Sequence, residues 1–225
     1  MEEVRAILGS AAGWEQGDTL ATLPDPEMLS QEILWPADWL HVPEPPLTWI
    51  VDGLIQEGAF TMISAYPKEG KSTYGRQLAM AVAKGEAFLG REVQQGPVIY
   101  FAFEEAKNDV RSKLRKLGIR EEDRFGLKHG MPRPTFLEEL PAIIERDRPK
   151  LVVFDTLIRL PRQRRMEMAD YFAISEWLGP YIELAHSTGV AILALYHSTK
   201  AGRGIEGADA ITTILGSTAL GAAID

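Results

Sequence analysis

The chain has 225 residues, 45% hydrophobic and 25% charged, the balance of a globular protein with one good core and room for an appended segment. Having no cysteine, it can form neither disulfides nor thiolate metal sites; no apolar run is long enough to cross a membrane, and Met1-Glu2-Glu3-Val4-Arg5 does not resemble a secretory leader, so a cytoplasmic protein is expected. The net charge of −8 argues against a broad nucleic-acid-binding face on a single chain, while leaving room for local basic loops.

Residues 1–47 stand apart from the rest. Pro24, Pro26, Pro36, Pro43, Pro45 and Pro46 interrupt every candidate helix, and Gly9, Gly13 and Gly17 loosen the first stretch. A flexible, proline-rich leader is expected there. It continues into an arm whose Trp35, Trp39 and Leu40 would pack on the core or on a neighbouring subunit.

From residue 48 to 225 the pattern is alternating strand and helix. Short apolar runs at 59–64, 98–103, 151–155 and 190–196 read as buried strands, with a weaker one at 125–128. Helical patterns fill 71–84, 106–117, 136–146 and 169–187, and Pro180 should kink or split the last. Such alternation predicts an α/β fold, a mostly parallel sheet sandwiched by helices. Ligands in these sheets bind outside the carboxyl ends of the strands, so chemistry is to be sought there.

The first strand leads into Ala65-Tyr66-Pro67-Lys68-Glu69-Gly70-Lys71-Ser72, and a helix leads out. This is the context of a phosphate-binding loop, whose backbone N–H groups and helix dipole favour an anion. Lys71 would reach the β- and γ-phosphates of ATP, and the Ser72 hydroxyl would ligate Mg²⁺. Ala65 stands where glycine is usual, which is acceptable if its φ stays negative.

The strand at 151–155 ends in Asp155, a carboxylate placed to hold the Mg²⁺. The strand at 98–103 ends in Glu104-Glu105. Two readings stand side by side: Glu104 as the base that polarises water, or both acids as helix openers. The strand at 190–196 runs into His197, a candidate contact to the γ-phosphate, followed by the glycine-bearing segment Ala201-Gly202-Arg203-Gly204.

These pieces, in this order, with Gly216-Ser217-Thr218-Ala219-Leu220 after them, resemble the RecA-like P-loop ATPases. Within them, residues 36–225 look like the plasmid RepA-type hexameric replicative helicases, common on phages and plasmids. The resemblance implies that Lys68, Glu69, Gly70, Lys71, Ser72 and Thr73, with Ala65 and Pro67, surround the nucleotide. It implies Glu104 as general base, Asp155 as the Mg²⁺-associated acid and His197 as γ-phosphate sensor. It further implies a homo-oligomeric ring that couples ATP hydrolysis to movement on single-stranded DNA, with a cationic finger given in trans.

Related chains continue past the position of Asp225, so the resemblance implies that C-terminal strands are missing here. Lys200 and Arg203 are then the available substitutes for the finger. Arg111, Lys113 and Arg115 share the helix on which the family often carries an adenine-side arginine. Arg162, Arg164 and Arg165 form a basic loop, read either as a DNA contact or as a solvated turn. Two other functions compete: an ATP-dependent DNA-binding or recombination accessory factor that does not unwind, and a small-molecule kinase. The kinase reading lacks an evident lid with paired arginines.

Overall fold

The computed structural model describes residues 34–44, 46–162 and 171–197. The chain divides into two units, Met1–Pro46 and Leu47–Asp225. In the first, a single helical turn, α1 (Pro36–Trp39), starts with proline at a position that needs no N–H donor. The Asp38 carboxylate accepts the Trp35 backbone N–H at 2.9 Å, closing the turn. Trp35, Trp39 and Leu40 are exposed.

The second unit opens with a small antiparallel hairpin, β1 (Trp49–Val51) and β2 (Ile55–Gln56). Gly53 makes its turn at φ +59°, and a Cβ there would meet the Arg91 guanidinium at 2.8 Å. That guanidinium donates to the Asp52 carbonyl at 2.7 Å. The hairpin was not expected from the sequence, because its strands are too short to register as apolar runs.

Five parallel strands follow, β3 (Phe60–Ala65), β4 (Val98–Ala102), β5 (Phe125–His129), β6 (Leu151–Asp155) and β7 (Ala191–His197). Helices α2 (Lys71–Lys84), α3 (Lys107–Lys116), α4 (Phe136–Asp147) and α5 (Tyr171–Thr188) alternate with them. The predicted α/β architecture is therefore present. The strand order is β3-β7-β6-β4-β5, so β7, the last of the described strands in sequence, lies between β3 and β6, the strand ending in Asp155.

The three central strands, β7, β6 and β4, are apolar on both faces, as a covered parallel sheet demands, while the edge strands β3 and β5 are only partly buried. Val152 and Phe154 of β6 join Phe101, Ile192 and Ala194 in a core with α4 and α5, where Phe136 and Leu140 come from α4 and Ile174 and Leu178 from α5. Leu151 and Val153 turn the other way, to Tyr100, Leu193 and the buried faces of α2 and α3. The alternation of period two thus divides one apolar sheet between two cores.

Helix α2 begins after Gly70 (φ +88°) and ends at Gly85 (φ +70°), whose N–H donates to the Ala81 carbonyl. Helix α5 runs through Pro180 as one helix, so of the kink or split expected there the split does not occur. Pro180 lies on the exposed side, and Trp177, Leu178 and Tyr181 around it are buried in the core. That packing offsets the loss of one backbone hydrogen bond. No helix among the described residues is long and apolar enough to cross a membrane.

Candidate active site

The strand order sets the site. At the carboxyl edge of the sheet, β3, β7, β6 and β4 end side by side, with Ala65 in register with His197 and Ala102 in register with Asp155. The loop, His197, Asp155 and Glu104 are therefore brought together from four separate strand ends.

Ala65 closes β3 and is absent from the positive-φ residues, so alanine costs nothing at this position. The left-handed positions of the loop are Lys68 (φ 71°) and Gly70 (φ 88°). Pro67, Lys68, Glu69 and Gly70 are exposed at the loop crest, and Thr73 is exposed on α2. The Tyr66 N–H donates to Glu69 Oε2 at 3.1 Å, so a loop N–H already carries an anionic oxygen. An anion-accepting loop at the start of α2 is what a polyphosphate requires.

Lys71 is only 6% exposed. Its Nζ lies 3.1 Å from His197 Nδ1 and 3.3 Å from Nε2. An ammonium only donates, so the ring nitrogen that receives it is unprotonated. His197 Nε2 also lies 3.7 Å from Glu104 Oε2. The ring therefore stands between the ammonium and the carboxylate. Burial pulls the Lys71 ammonium below the usual lysine range, while the charges of Asp155 and Glu104 pull it back up.

Asp155, 4% exposed, uses both carboxylate oxygens. Ser72 Oγ donates to Oδ1 at 3.0 Å, and the Tyr100 hydroxyl donates to Oδ2 at 2.7 Å. Burial, the Asp155 charge and this hydrogen bond push the Tyr100 phenol well above its usual range, so it stays a donor. A hydroxyl beside a buried carboxylate is the oxygen donor set that suits Mg²⁺, so Ser72 and Asp155 fit the ion expected there.

Arg76 is 3% exposed and donates to Glu105 Oε1 at 3.0 Å, with Asp155 Oδ2 at 3.8 Å. Lys113 reaches Glu105 Oε2 at 2.8 Å. Burial alone would raise the Glu105 carboxyl, but the Lys113 hydrogen bond and the Arg76 charge outweigh it and hold it low. Both Glu105 oxygens are thus committed to cations. Glu104 is bound differently: Thr156 Oγ1 donates to its Oε1 at 3.1 Å and Arg159 Nε to the same atom at 2.9 Å. Burial raises the Glu104 carboxyl as well, and the bonds from Arg159 and Thr156 together with the Arg159 charge more than reverse it.

Tyr100, Arg76, Thr156 and Arg159 did not emerge from the sequence. Arg76 was the most readable, as a lone cation within the apolar run of α2. Arg162 stacks on Trp177 at 4.6 Å from the ring centroid and donates to the Ile158 carbonyl at 3.1 Å. Arg164, Arg165, Lys200 and Arg203 lie outside the described residues.

Tyr100→Phe is expected to leave Asp155 Oδ2 short of its donor inside the core. Hydrogen bonds to charged groups are worth about 1.5–3 kcal/mol, so chemical denaturation should show a loss of that order.

A search of curated proteins finds no match. A family model described as an AAA domain, AAA_25, matches residues 23–203. With the loop, the sheet and the strand-end carboxylates assembled as above, the chain belongs to this AAA-domain family of P-loop ATPases.

Proposed function

We propose that the protein is a Mg²⁺-dependent ATP hydrolase that couples turnover to movement on single-stranded DNA, as a homo-oligomeric ring of the RepA-type helicase kind. The observation that carries the hydrolase part is the line from Lys71 through His197 to Glu104, at 3.1 Å and 3.7 Å. It sets a cation for the phosphates, a polar relay and a carboxylate in one row, with water rather than a second substrate as the natural acceptor.

In this mechanism Lys71 and the loop N–H groups bind the β- and γ-phosphates, and Ser72 and Asp155 hold the Mg²⁺. The metal neutralises phosphate charge when bound. Glu104 takes the proton of the attacking water at Oε2, since Oε1 is already engaged. His197 lies between that carboxylate and Lys71, so loss of the γ-phosphate changes what its ring can contact. The DNA and ring parts rest on the resemblance of the chain to RepA-type helicases. Arg162, Arg164 and Arg165 would supply the channel-facing cations, and Lys200 or Arg203 the finger in trans.

The stacking of Arg162 on Trp177 favours a second reading, an accessory ATPase that binds DNA without unwinding it, because this cation is partly withdrawn from solvent. The test is ATP turnover by the purified chain with and without single-stranded DNA over a range of salt, with its mass followed in solution. Turnover raised by DNA, weakening with added salt, in a ring-sized species supports the motor. DNA binding without stimulated turnover supports the accessory reading, and turnover indifferent to DNA with no DNA bound at any salt concentration removes both.

A further inference from the structure

We infer that Arg159 is a positioning residue for the general base: it fixes the Glu104 carboxylate by one oxygen so that the other faces the reacting water. This rests on the hydrolase reading above and names a part of the machinery that the family match does not assign.

Three observations lead to it. First, both donors to Glu104, Arg159 Nε at 2.9 Å and Thr156 Oγ1 at 3.1 Å, converge on Oε1, while Oε2 is the oxygen 3.7 Å from His197 Nε2. A carboxylate held by two donors on one oxygen has its rotation fixed and its second oxygen directed. Second, the backbone that carries Arg159 is itself held. Leu157–Arg159 is a single 3₁₀ turn, closed by Arg159 N–H to Thr156 O at 3.1 Å and Leu160 N–H to Leu157 O at 3.0 Å.

Leu157 and Leu160 are buried in the core beneath that turn, and the Trp177 indole N–H donates to the Pro161 carbonyl at 2.9 Å. The guanidinium therefore projects from a rigid base. Third, Glu104 is the one carboxylate paired with Arg159 among the described residues, and the Arg159 side chain is 47% exposed. An exposed ion pair of this kind contributes little to stability, so its geometry, rather than folding energy, is what it supplies.

The cations and polar groups around Glu104 come from three places: Arg159 and Thr156 after β6, His197 at the end of β7, and Lys71 at the start of α2. Of these, Lys71 and His197 belong to the phosphate end of the site. Arg159 alone is a cation on the far side of the carboxylate, where it orients the base without competing for substrate. A misplacement of about 1 Å in such a group costs up to roughly a hundredfold in rate.

The experiment compares Arg159→Ala and Arg159→Lys, alone and combined with Glu104→Gln. Turnover at saturating ATP is measured beside the affinity for a fluorescent non-hydrolysable ATP analogue. Arg159→Ala should lower turnover roughly ten- to hundredfold with analogue affinity within about twofold of the unaltered chain, and Arg159→Lys should recover part of the loss. In the Glu104→Gln background Arg159→Ala should cost nothing more, because it acts through that carboxylate.

A further loss in that background, unchanged or increased turnover in Arg159→Ala, or a loss of affinity that matches the loss of rate would each overturn the inference. If Glu104→Gln alone leaves turnover intact, the base assignment fails and takes the positioning role with it. Loss in Glu104→Gln without loss in Arg159→Ala removes only the role of Arg159.

Discussion

Lys71→Ala will abolish tight binding of Mg·ATP. The ammonium is buried at 6% exposure against Asp155, Glu104 and His197, where burial makes its charge costly to hold. An incoming triphosphate brings several negative charges to the same place, and the lysine charge is then better compensated than before. Removing it leaves the phosphates with the loop N–H groups and the helix dipole alone. The dipole is worth about 0.3–1 kcal/mol at an exposed helix end, well short of a charge-assisted bond in a part-buried site. Titration of a fluorescent ATP analogue should show affinity reduced by at least about tenfold, with the melting temperature of the ligand-free chain little changed. Unchanged affinity would remove the phosphate-loop assignment itself.

Glu104→Gln should leave that affinity in place and stop turnover. The amide keeps the shape of the side chain and can still accept from Thr156 and Arg159 through its oxygen, so the local framework survives. What it cannot do is take a proton. General-base contributions are roughly 10²–10⁴-fold, and a reduction of that order in single-turnover hydrolysis is expected at unchanged analogue affinity.

The neighbouring change, Glu105→Gln, should act otherwise. Its carboxylate is bound by Arg76 and Lys113, so neutralising it leaves Arg76, 3% exposed, with only the more distant Asp155 Oδ2 at 3.8 Å as an anionic partner. The expected readout is reduced stability together with any loss of rate. If Glu105→Gln instead abolishes turnover in a fully stable chain and Glu104→Gln does not, the base lies one residue further along.

The parts of the site that are legible in the sequence are those announced by local chemistry. The loop at 65–72 is contiguous, and Asp155 and Glu104 are acids at the ends of apolar runs, so each is visible within a few residues of itself. Strand limits come within one residue for the same reason, as with the run at 59–64 against Phe60–Ala65. What stays hidden depends on which strands are neighbours.

That β7 pairs with both β3 and β6 is a tertiary fact, and it alone puts His197 beside Lys71. Tyr100 looks like one more aromatic in a buried strand, and only the register of β4 with β6 aims its hydroxyl at Asp155. Arg159 sits in a turn with no periodic signal. Arg76 is the exception, since a charge at a core-facing helix position demands a buried partner on chemical grounds alone.

The ladder between β6 and β7 stops at Asp155 and Leu195, while the ladder between β3 and β7 continues two residues further, to Ala65 and His197. The mouth of the sheet is thus built as a jaw. One side is β3 with the tip of β7, carrying the loop and the histidine as a single block. The other is β6 with β4, carrying both carboxylates and the Arg159 turn. Among the described residues no backbone bond of the sheet ties the tip of β7 to β6 beyond Leu195, so the 3.7 Å space between His197 and Glu104 lies along a seam. The distance from His197 to Glu104 is therefore set by side-chain contacts across this line and not by the strand ladder.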